Sequence, residues 1–237
     1  MKIRIWSLVL VIYLIIGAWL LVIPCEARSV WNGSKARSVI ALTFDDGPKP
    51  EYCQILLDVL DRFGAKATFF VVGKEAEDNP DLIMRIDDLG HEIGNHTYSH
   101  IPVRDLSVGE ALRDIQRCSE VIYDITGAPP KYFRPPGGSC NNGISRGLKK
   151  MGLKTVYWSL NAEDYIEMTP GYEVPEDYRI MAKELSRKVV EKVSSGAIIL
   201  FHNGSEQTVL ALPFILEELK KKGYGFVTLT DLLEEKI

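Results

Sequence analysis

The chain alternates between short apolar runs and longer stretches with helical periodicity. Seven apolar runs are rich in β-branched and aromatic residues, and they predict β-strands: VIALTF (39–44), KATFFVV (66–72), HEIGN (91–95), KYFR (131–134), KTVYWSL (154–160), AIILFH (197–202) and FVTLT (226–230). The segments between them predict helices at Tyr52–Phe63, Pro80–Leu89, Ser107–Thr126, Gly143–Met151, Pro175–Ser195 and Val209–Lys222. This alternation predicts an α/β protein with a parallel sheet covered by helices, either closed as a barrel or open and doubly wound.

The first 27 residues differ from the rest in composition. Lys2 and Arg4 precede an uncharged apolar run, residues 5–23, which is long enough to cross a bilayer as a helix. Cleavable signals usually have a shorter apolar core of about 7–15 residues. We therefore expect residues 1–23 to be an uncleaved signal-anchor, a single transmembrane helix, with cleavage after Ala27 and secretion as the alternative. Residues 24–38 are polar and predict a linker, and residues 39–237 predict one globular domain.

Charge and cysteine content narrow the class of protein. The 237 residues carry a formal net charge of -4 without basic runs, which argues against nucleic acid as the main ligand. The four cysteines show no CxxC spacing, so a zinc ribbon or a thioredoxin-like motif is not supported. A Cys53–Cys118 or Cys118–Cys140 disulfide is left open at this point. We expect a monomer.

Polar side chains with catalytic or ligating chemistry follow the predicted strands at their carboxyl ends. They are Asp45, Asp46, His96, His100, Arg134, Asn161, Asp164 and His202. Both parallel architectures place functional side chains at this edge of the sheet, so we expect these residues to lie together. His91 lies at the opposite end of a strand, and we expect it to be structural.

Two short motifs in this set predict a metal site. In NHTYSH, His96 and His100 are four residues apart, so both imidazoles can reach one cation if the loop enters a helical turn. Alone, this spacing is equally typical of a solvated helix face. In TFDDGP, Asp45 and Asp46 are adjacent, and an Asx-turn accounts for only one of them. A cation beside one carboxylate would cancel their repulsion and let the other accept a proton from water.

Two further motifs predict supporting groups. FRPPGG places Arg134 ahead of a rigid loop, where its guanidinium can orient a carboxylate by a bidentate pair and the N–H of Gly137 can face a developing oxyanion. An ordinary proline turn is the alternative. His202 ends the strand ILFH and is placed to donate a proton to a leaving group, whereas a core histidine is the alternative.

In this order, the motifs resemble the polysaccharide deacetylase family, the NodB-homology carbohydrate esterases. The resemblance runs from about Val39 to Leu232 through TFDDGP (43–48), HTYSH (96–100), RPPGG (134–138), WSLNAEDY (158–165) and LFH (200–202). It implies a distorted, incomplete (β/α) barrel of about seven parallel strands. It also implies metal-dependent hydrolysis of N-acetyl groups on β-linked amino sugars, or of O-acetyl groups on some xylans.

The resemblance assigns a role to each matching residue. It makes Asp45 the general base and His202 the general acid, with Asp46, His96 and His100 as ligands of a divalent metal, Zn²⁺ in the first place and Co²⁺ or another ion as alternatives. Thr97 would hold the histidine loop, Arg134 would position Asp45, and Asp164 would orient His202. Leu200 would line the acetyl pocket, and Tyr165 stands where the family has a substrate-facing Trp. Two further positions depart from the family pattern: Gly137 replaces an aromatic residue, and Asn161 replaces an acid.

The expected function is removal of N-acetyl groups from cell-wall amino sugars by an enzyme tethered outside the membrane. The substrates would be peptidoglycan N-acetylglucosamine or N-acetylmuramic acid, or a chitooligosaccharide, and the product would be acetate. Sequons at Asn95 and Asn203 adjoin the predicted site, which favours a bacterial envelope without N-glycosylation. The alternatives are an acetylxylan O-deacetylase and a non-catalytic glycan-binding member of the same fold.

Overall fold

Parallel strands form the single sheet of the computed structural model, which describes residues 29–164 and 178–234. In these residues the strands are β1 (Val39–Gly47), β2 (Ala67–Val71), β3 (Glu92–Asn95), β4 (Tyr132–Phe133), β5 (Lys154–Thr155), β6 (Leu160–Asn161), β7 (Ile198–His202) and β8 (Gly225–Phe226). Seven of them follow the order β5-β4-β3-β2-β1-β7-β6, and β8 pairs with the start of β1. The parallel sheet predicted from the alternating pattern is confirmed.

The sheet is curled into an incomplete barrel. Its two edge strands, β5 and β6, are joined by residues 156–159 alone, so the edges lie within about 17 Å of each other even for extended chain. Residues 30–33 lie along the open seam: Val30 donates its N–H to the Thr155 carbonyl at 3.0 Å, and Gly33 donates to the Gly196 carbonyl at 2.8 Å. The folded domain therefore includes part of the segment predicted as a linker.

Helices cover the outer face of the sheet. Among the described residues they are α1 (Pro50–Arg62), α2 (Gly73–Asp78), α3 (Pro80–Asp88), α4 (Val108–Thr126), α5 (Asn142–Lys150), α6 (Tyr178–Lys192), α7 (Glu206–Lys221) and α8 (Leu229–Leu233). The six predicted helices are present within three residues at each end, and α2 and α8 were not predicted. Helix α4 begins with the capping box of Ser107 and Glu110.

Two strand predictions need correction. The run 154–160 forms two short strands instead of one, because the carbonyl groups of Val156 and Tyr157 accept hydrogen bonds from the buried guanidinium of Arg134. The run 226–230 is a strand only at its start. Thr228 caps helix α8 there by accepting the N–H of Asp231, and the rest of the run turns into that helix.

Side chains inside the barrel change from apolar at one end to polar at the other. The inward positions of β1 and β7 pair in register as Ala41 with Ile198, Thr43 with Leu200, and Asp45 with His202. Ala41 and Ile198 belong to an apolar cluster that also contains Leu229 and Leu232 of α8. Burial of such a leucine contributes about 1.5–3 kcal/mol. Helix α8, which the sequence did not predict, thus closes one end of the barrel. The polar pair of Asp45 and His202 lies at the other, open end, which is called the mouth below.

Two further expectations concern the membrane and the thiols. In residues 29–164 and 178–234, each helix is too short or too polar to cross a bilayer. The predicted transmembrane helix, residues 1–23, lies outside the described residues. Cys53, Cys118 and Cys140 carry free thiols, and burial raises the pKa of Cys53 to about 11.

Candidate active site

Asp46, His96 and His100 form a cluster at the mouth of the barrel. Oδ1 of Asp46 lies 3.2 Å from Nε2 of His96 and 2.9 Å from Nε2 of His100, and the three ligating atoms all lie within 4.8 Å of one another. Asp46 is the second-last residue of β1, and the two histidines lie in the loop after β3. Residues 50 positions apart are thus brought together by the pairing of β1, β2 and β3.

Left-handed backbone shapes this cluster. Asp46, Thr97 and His100 have φ values of 72°, 67° and 60°, a conformation that costs roughly 1–2 kcal/mol for residues other than glycine. Such strained positions concentrate at functional sites. At Asp46 the turn separates two adjacent carboxylates: Asp45 points to Arg134 inside the barrel, while Asp46 points to the histidines.

The donor set fits a divalent cation. Nδ1 of His96 lies 2.8 Å from the carbonyl oxygen of Arg134, which only accepts, so Nδ1 carries the hydrogen. In the neutral ring the lone pair of Nε2 then faces the Asp46 carboxylate, and a cation between these two acceptors would remove their repulsion. Tetrahedral Zn²⁺ ligands lie about 3.3 Å apart, close to the two separations that join Oδ1 of Asp46 to the histidine nitrogens. Burial opposes the charge of Asp46, but the two imidazoles lower its pKa below the usual range.

Arg134 is fully buried and positions Asp45. Its Nη1 donates to Oδ1 of Asp45 at 2.7 Å and to the Thr43 hydroxyl at 2.8 Å. The predicted bidentate pair is wrong in its geometry, because Nε and Nη2 donate instead to the carbonyls of Val156 and Tyr157. Asp45 is 4% exposed, so the guanidinium is matched by a carboxylate that is itself almost out of water.

His202 and Asp164 form a second pair across the mouth. Nδ1 of His202 donates to Oδ1 of Asp164 at 2.8 Å, and the backbone N–H of His202 donates to Oδ2 at 2.7 Å. Burial lowers the pKa of His202, but the Asp164 carboxylate outweighs it and raises the pKa to about 9. The imidazole is therefore protonated at neutral pH, as a proton donor must be.

The sequence did not predict two residues that hold Asp164. Thr208, in the first turn of α7, donates its hydroxyl to Oδ2 of Asp164, and Ser205 donates to the Asp164 carbonyl at 2.7 Å. Asn161, which replaces an acid of the family pattern, accepts the N–H of Glu163 at 2.8 Å. An amide oxygen serves as well as a carboxylate in that turn, so this departure leaves the Asp164 pair intact.

Three further residues were predicted for the site: Leu200, Gly137 and Tyr165. Leu200 is 4% exposed and faces the barrel interior two positions before His202. Gly137 follows Pro136 in a short turn with φ 69°, and a Cβ atom there would meet nothing within 4 Å. The space around this position is therefore unfilled, and the aromatic residue that the resemblance implies there is absent. Tyr165 lies outside the described residues.

A pocket of about 490 Å³ opens beside the cluster. Its lining includes Asp46, His202, Lys49, Tyr52, Asn203 and Gly204. The predicted metal ligand Asp46 and the predicted acid His202 thus face one space. A volume of this size is within the range of small-ligand sites.

Comparison with known proteins identifies the family. The model of the family described as polysaccharide deacetylase matches residues 32–156. A peptidoglycan-N-acetylglucosamine deacetylase of Bacillus cereus is 38% identical over 209 residues, covering 87% of this chain and 93% of that protein. The peptidoglycan-N-acetylmuramic acid deacetylase PdaA of Bacillus subtilis is 33% identical over 206 residues, covering 86% of this chain and 74% of PdaA.

Solved structures agree with the sequence comparison. The structure of Bacillus subtilis PdaA, described as a family 4 carbohydrate esterase, matches with a TM-score of 0.76 and 30% identity over 90% of this chain and 87% of that one. The structure of BA3943 from Bacillus anthracis, described as a CE4 family pseudoenzyme, matches with a TM-score of 0.78 and 27% identity over 88% of this chain and 70% of that one. The chain belongs to the polysaccharide deacetylase family.

Proposed function

We propose that the chain hydrolyses the N-acetyl groups of peptidoglycan amino sugars and releases acetate. One observation carries the proposal: a predicted metal cluster, a buried base and a protonated acid meet at one mouth, with Asp45 and His202 on neighbouring strands in register. Both curated relatives described above are named as peptidoglycan deacetylases, one for each amino sugar. Their names support peptidoglycan over chitin or acetylxylan.

Asp46, His96 and His100 would hold a divalent cation, and Zn²⁺ suits two imidazoles and one carboxylate. When bound, it supplies Lewis-acid polarisation of the acetyl carbonyl and a lowered pKa for water. Three protein ligands leave coordination positions open for water and substrate, as catalytic sites require.

Asp45 is the general base of this proposal. Its Oδ1 is occupied by Arg134, while Oδ2 lies 3.8 Å from Nε2 of His96, on the side of the metal cluster. The carboxylate is thus oriented so that Oδ2 can take a proton from the attacking water. Arg134 prevents the carboxylate from turning away.

His202 is the general acid. Its Nδ1 is occupied by Asp164, so Nε2 is the nitrogen that donates a proton to the sugar amine as the C–N bond breaks. The backbone N–H of Gly137 would stabilise the oxyanion of the tetrahedral intermediate, and such a donor is worth about 3–4 kcal/mol.

A non-catalytic role is the second candidate, and two observations favour it. A protein described as a pseudoenzyme shares this fold at 27% identity, so the fold alone does not secure turnover. The absence of an aromatic side chain at Gly137 also departs from the family pattern. Against this candidate, Asp45, His202 and all three predicted ligands are present and brought together.

We also propose that the domain acts outside the cell membrane, tethered by residues 1–23 or released after Ala27. Asn95 and Asn203, the sequon residues beside the site, are both fully buried, so a glycan on either would be incompatible with the folded domain. This supports an envelope in which N-glycosylation does not occur.

Acetate release across a glycan panel tests the proposal. The full chain is assayed with Zn²⁺ or Co²⁺ on peptidoglycan, chitooligosaccharides and acetylxylan, with and without a chelator, beside Asp45→Asn as the inactive control. Chelator-sensitive release from peptidoglycan is expected. Folded, metal-loaded protein that binds peptidoglycan but releases no acetate would favour the non-catalytic role.

A further inference from the structure

Helix α4 contacts the loop that carries two of the predicted metal ligands. In this loop, residues 96–100, the backbone N–H groups of Tyr98 and Ser99 both donate to Oδ2 of Asp114, at 3.1 and 3.2 Å. Asp114 lies in the second turn of α4, within a 19-residue helix that begins with a capping box. A charged acceptor on a rigid helix thus binds two consecutive amides between the two histidines.

The opposite side of the loop is bound by helix α2. The N–H of Gly73 donates to the Thr97 carbonyl at 2.9 Å, and the N–H of Lys74 donates to the Tyr98 carbonyl at 3.0 Å. These donors are the unsatisfied amides that a helix start offers. The loop is therefore held through its carbonyls by α2 and through its amides by Asp114.

The side chain of Tyr98 adds a third connection to α4. Arg117, one turn after Asp114, donates to the Tyr98 hydroxyl at 2.7 Å, and its guanidinium lies 3.5 Å from the centre of the Tyr98 ring. The same hydroxyl donates to Glu77 of α2. Tyr98 thus joins the two helices directly behind the histidines.

His100 depends on this support more than the other two ligands do. Its side chain is 45% exposed, against 3% for His96 and 27% for Asp46, so packing restrains it least. Its backbone is left-handed, with φ 60°, a conformation that is unfavourable for a residue other than glycine and that the surrounding contacts must therefore stabilise. The Thr97 hydroxyl fixes one end of that turn by accepting the His100 N–H at 3.0 Å.

We propose that Asp114 is a positioning residue for the metal ligand His100, and that its carboxylate sets the affinity of the site for a divalent cation. The inference rests on the metal site proposed above. Asp114 binds the two amides that precede His100 and connects them to α4, so its loss frees the loop to leave the left-handed turn. Groups that orient metal ligands in this way typically change metal affinity by about 10–100-fold.

Zinc titration of the metal-free full chain tests the inference. Asp114→Ala is expected to bind Zn²⁺ about 10–100-fold more weakly than the wild type. Asp114→Asn keeps an acceptor oxygen in the same place and is expected to recover part of the loss. Asp124→Ala, which removes an exposed carboxylate from the same helix, is the matched control and should bind as the wild type does. The Co²⁺ absorption spectrum reports ligand geometry, and circular dichroism reports folding.

The outcomes separate this inference from the proposed function. Wild-type protein that binds no metal would overturn both. Wild-type protein that binds Zn²⁺, together with a folded Asp114→Ala of equal affinity and equal Co²⁺ spectrum, would overturn only the role of Asp114. If Asp114→Ala does not fold, Asp114→Asn provides the test. Weaker Zn²⁺ binding by Asp114→Asn than by the wild type would support the role of the Asp114 carboxylate, and equal Zn²⁺ affinity would contradict it.

Discussion

The backbone carbonyl oxygen of Arg134 accepts a hydrogen bond from Nδ1 of His96, with 2.8 Å between the two atoms. The guanidinium of the same residue donates to Asp45 at 2.7 Å. Arg134 therefore sets the tautomer of a predicted metal ligand with its backbone and the orientation of the predicted base with its side chain. A substitution separates these two contributions, because it changes only the side chain.

Arg134→Lys is expected to lower kcat/KM about 100-fold while Zn²⁺ affinity stays within about threefold. An ammonium group cannot reproduce the planar set of donors that reaches Asp45 and the two carbonyls at once, so the base shifts, and misplacement of about 1 Å costs roughly this factor. Acetate release and zinc titration are measured on the same preparation, below its melting temperature. Parallel loss of metal binding and turnover would show that the two contributions are not separable.

The pH dependence of kcat/KM should report His202. The imidazole donates its proton, so activity falls as pH rises through its pKa, which Asp164 raises to about 9. Asp164→Asn removes the charge that raises this pKa, and the basic limb should move down toward the ordinary value of 6.5. pH profiles of both proteins are compared with metal at saturation. An unchanged basic limb in Asp164→Asn would exclude His202 as the group observed.

The same pair should make stability depend on pH. The pKa of His202 is raised from 6.5 to about 9 on folding, so its stabilisation is complete below pH 6.5 and is lost as pH rises through 9. The free energy of unfolding should fall by up to about 3 kcal/mol over this interval. Urea unfolding at several pH values, compared with Asp164→Asn, isolates this contribution. A wild-type curve parallel to that of the variant would contradict the pairing.

Thr208 is expected to matter through its hydroxyl. Thr208→Val keeps the shape of the side chain but removes the donor to Asp164, so a buried carboxylate loses one hydrogen bond at a cost of about 1–3 kcal/mol. Thr208→Ser keeps the hydroxyl and is the matched control. Thermal unfolding and the basic limb of the pH profile are measured for both. Only the Ser variant keeps the donor to Asp164, so a Val variant that matches the Ser variant in both measurements would contradict the role of the hydroxyl.

The sheet and most helices could be predicted because their signals are local. The continuous apolar run of β1 and the helical spacing of apolar residues in α4 depend on the residues of each element alone. The convergence of Asp46 with His96 and His100 could be predicted too, because carboxyl ends of parallel strands share one edge. The topology of the parallel sheet therefore accounts for the way in which these three side chains come together.

What the sequence did not reveal are contacts made between distant elements. Thr208 reaches Asp164 across 44 positions, and a threonine in the first turn of a helix looks like an ordinary capping residue. The helix at Leu229–Leu233 contains β-branched and apolar residues that also suit a strand, and its burial against Phe70 and Ile198 decides the outcome. Tertiary packing determined both features.

Metal titration of the ligand variants tests the central claim most directly. The claim is that Asp46, His96 and His100 bind one divalent cation on which hydrolysis depends. The wild type should bind one equivalent of Zn²⁺, and Asp46→Ala or His96→Ala should lose both tight binding and acetate release, while His91→Gln, at the far end of β3, should keep both. Tight binding of one Zn²⁺ by Asp46→Ala, or full acetate release by metal-free wild type, would contradict the account.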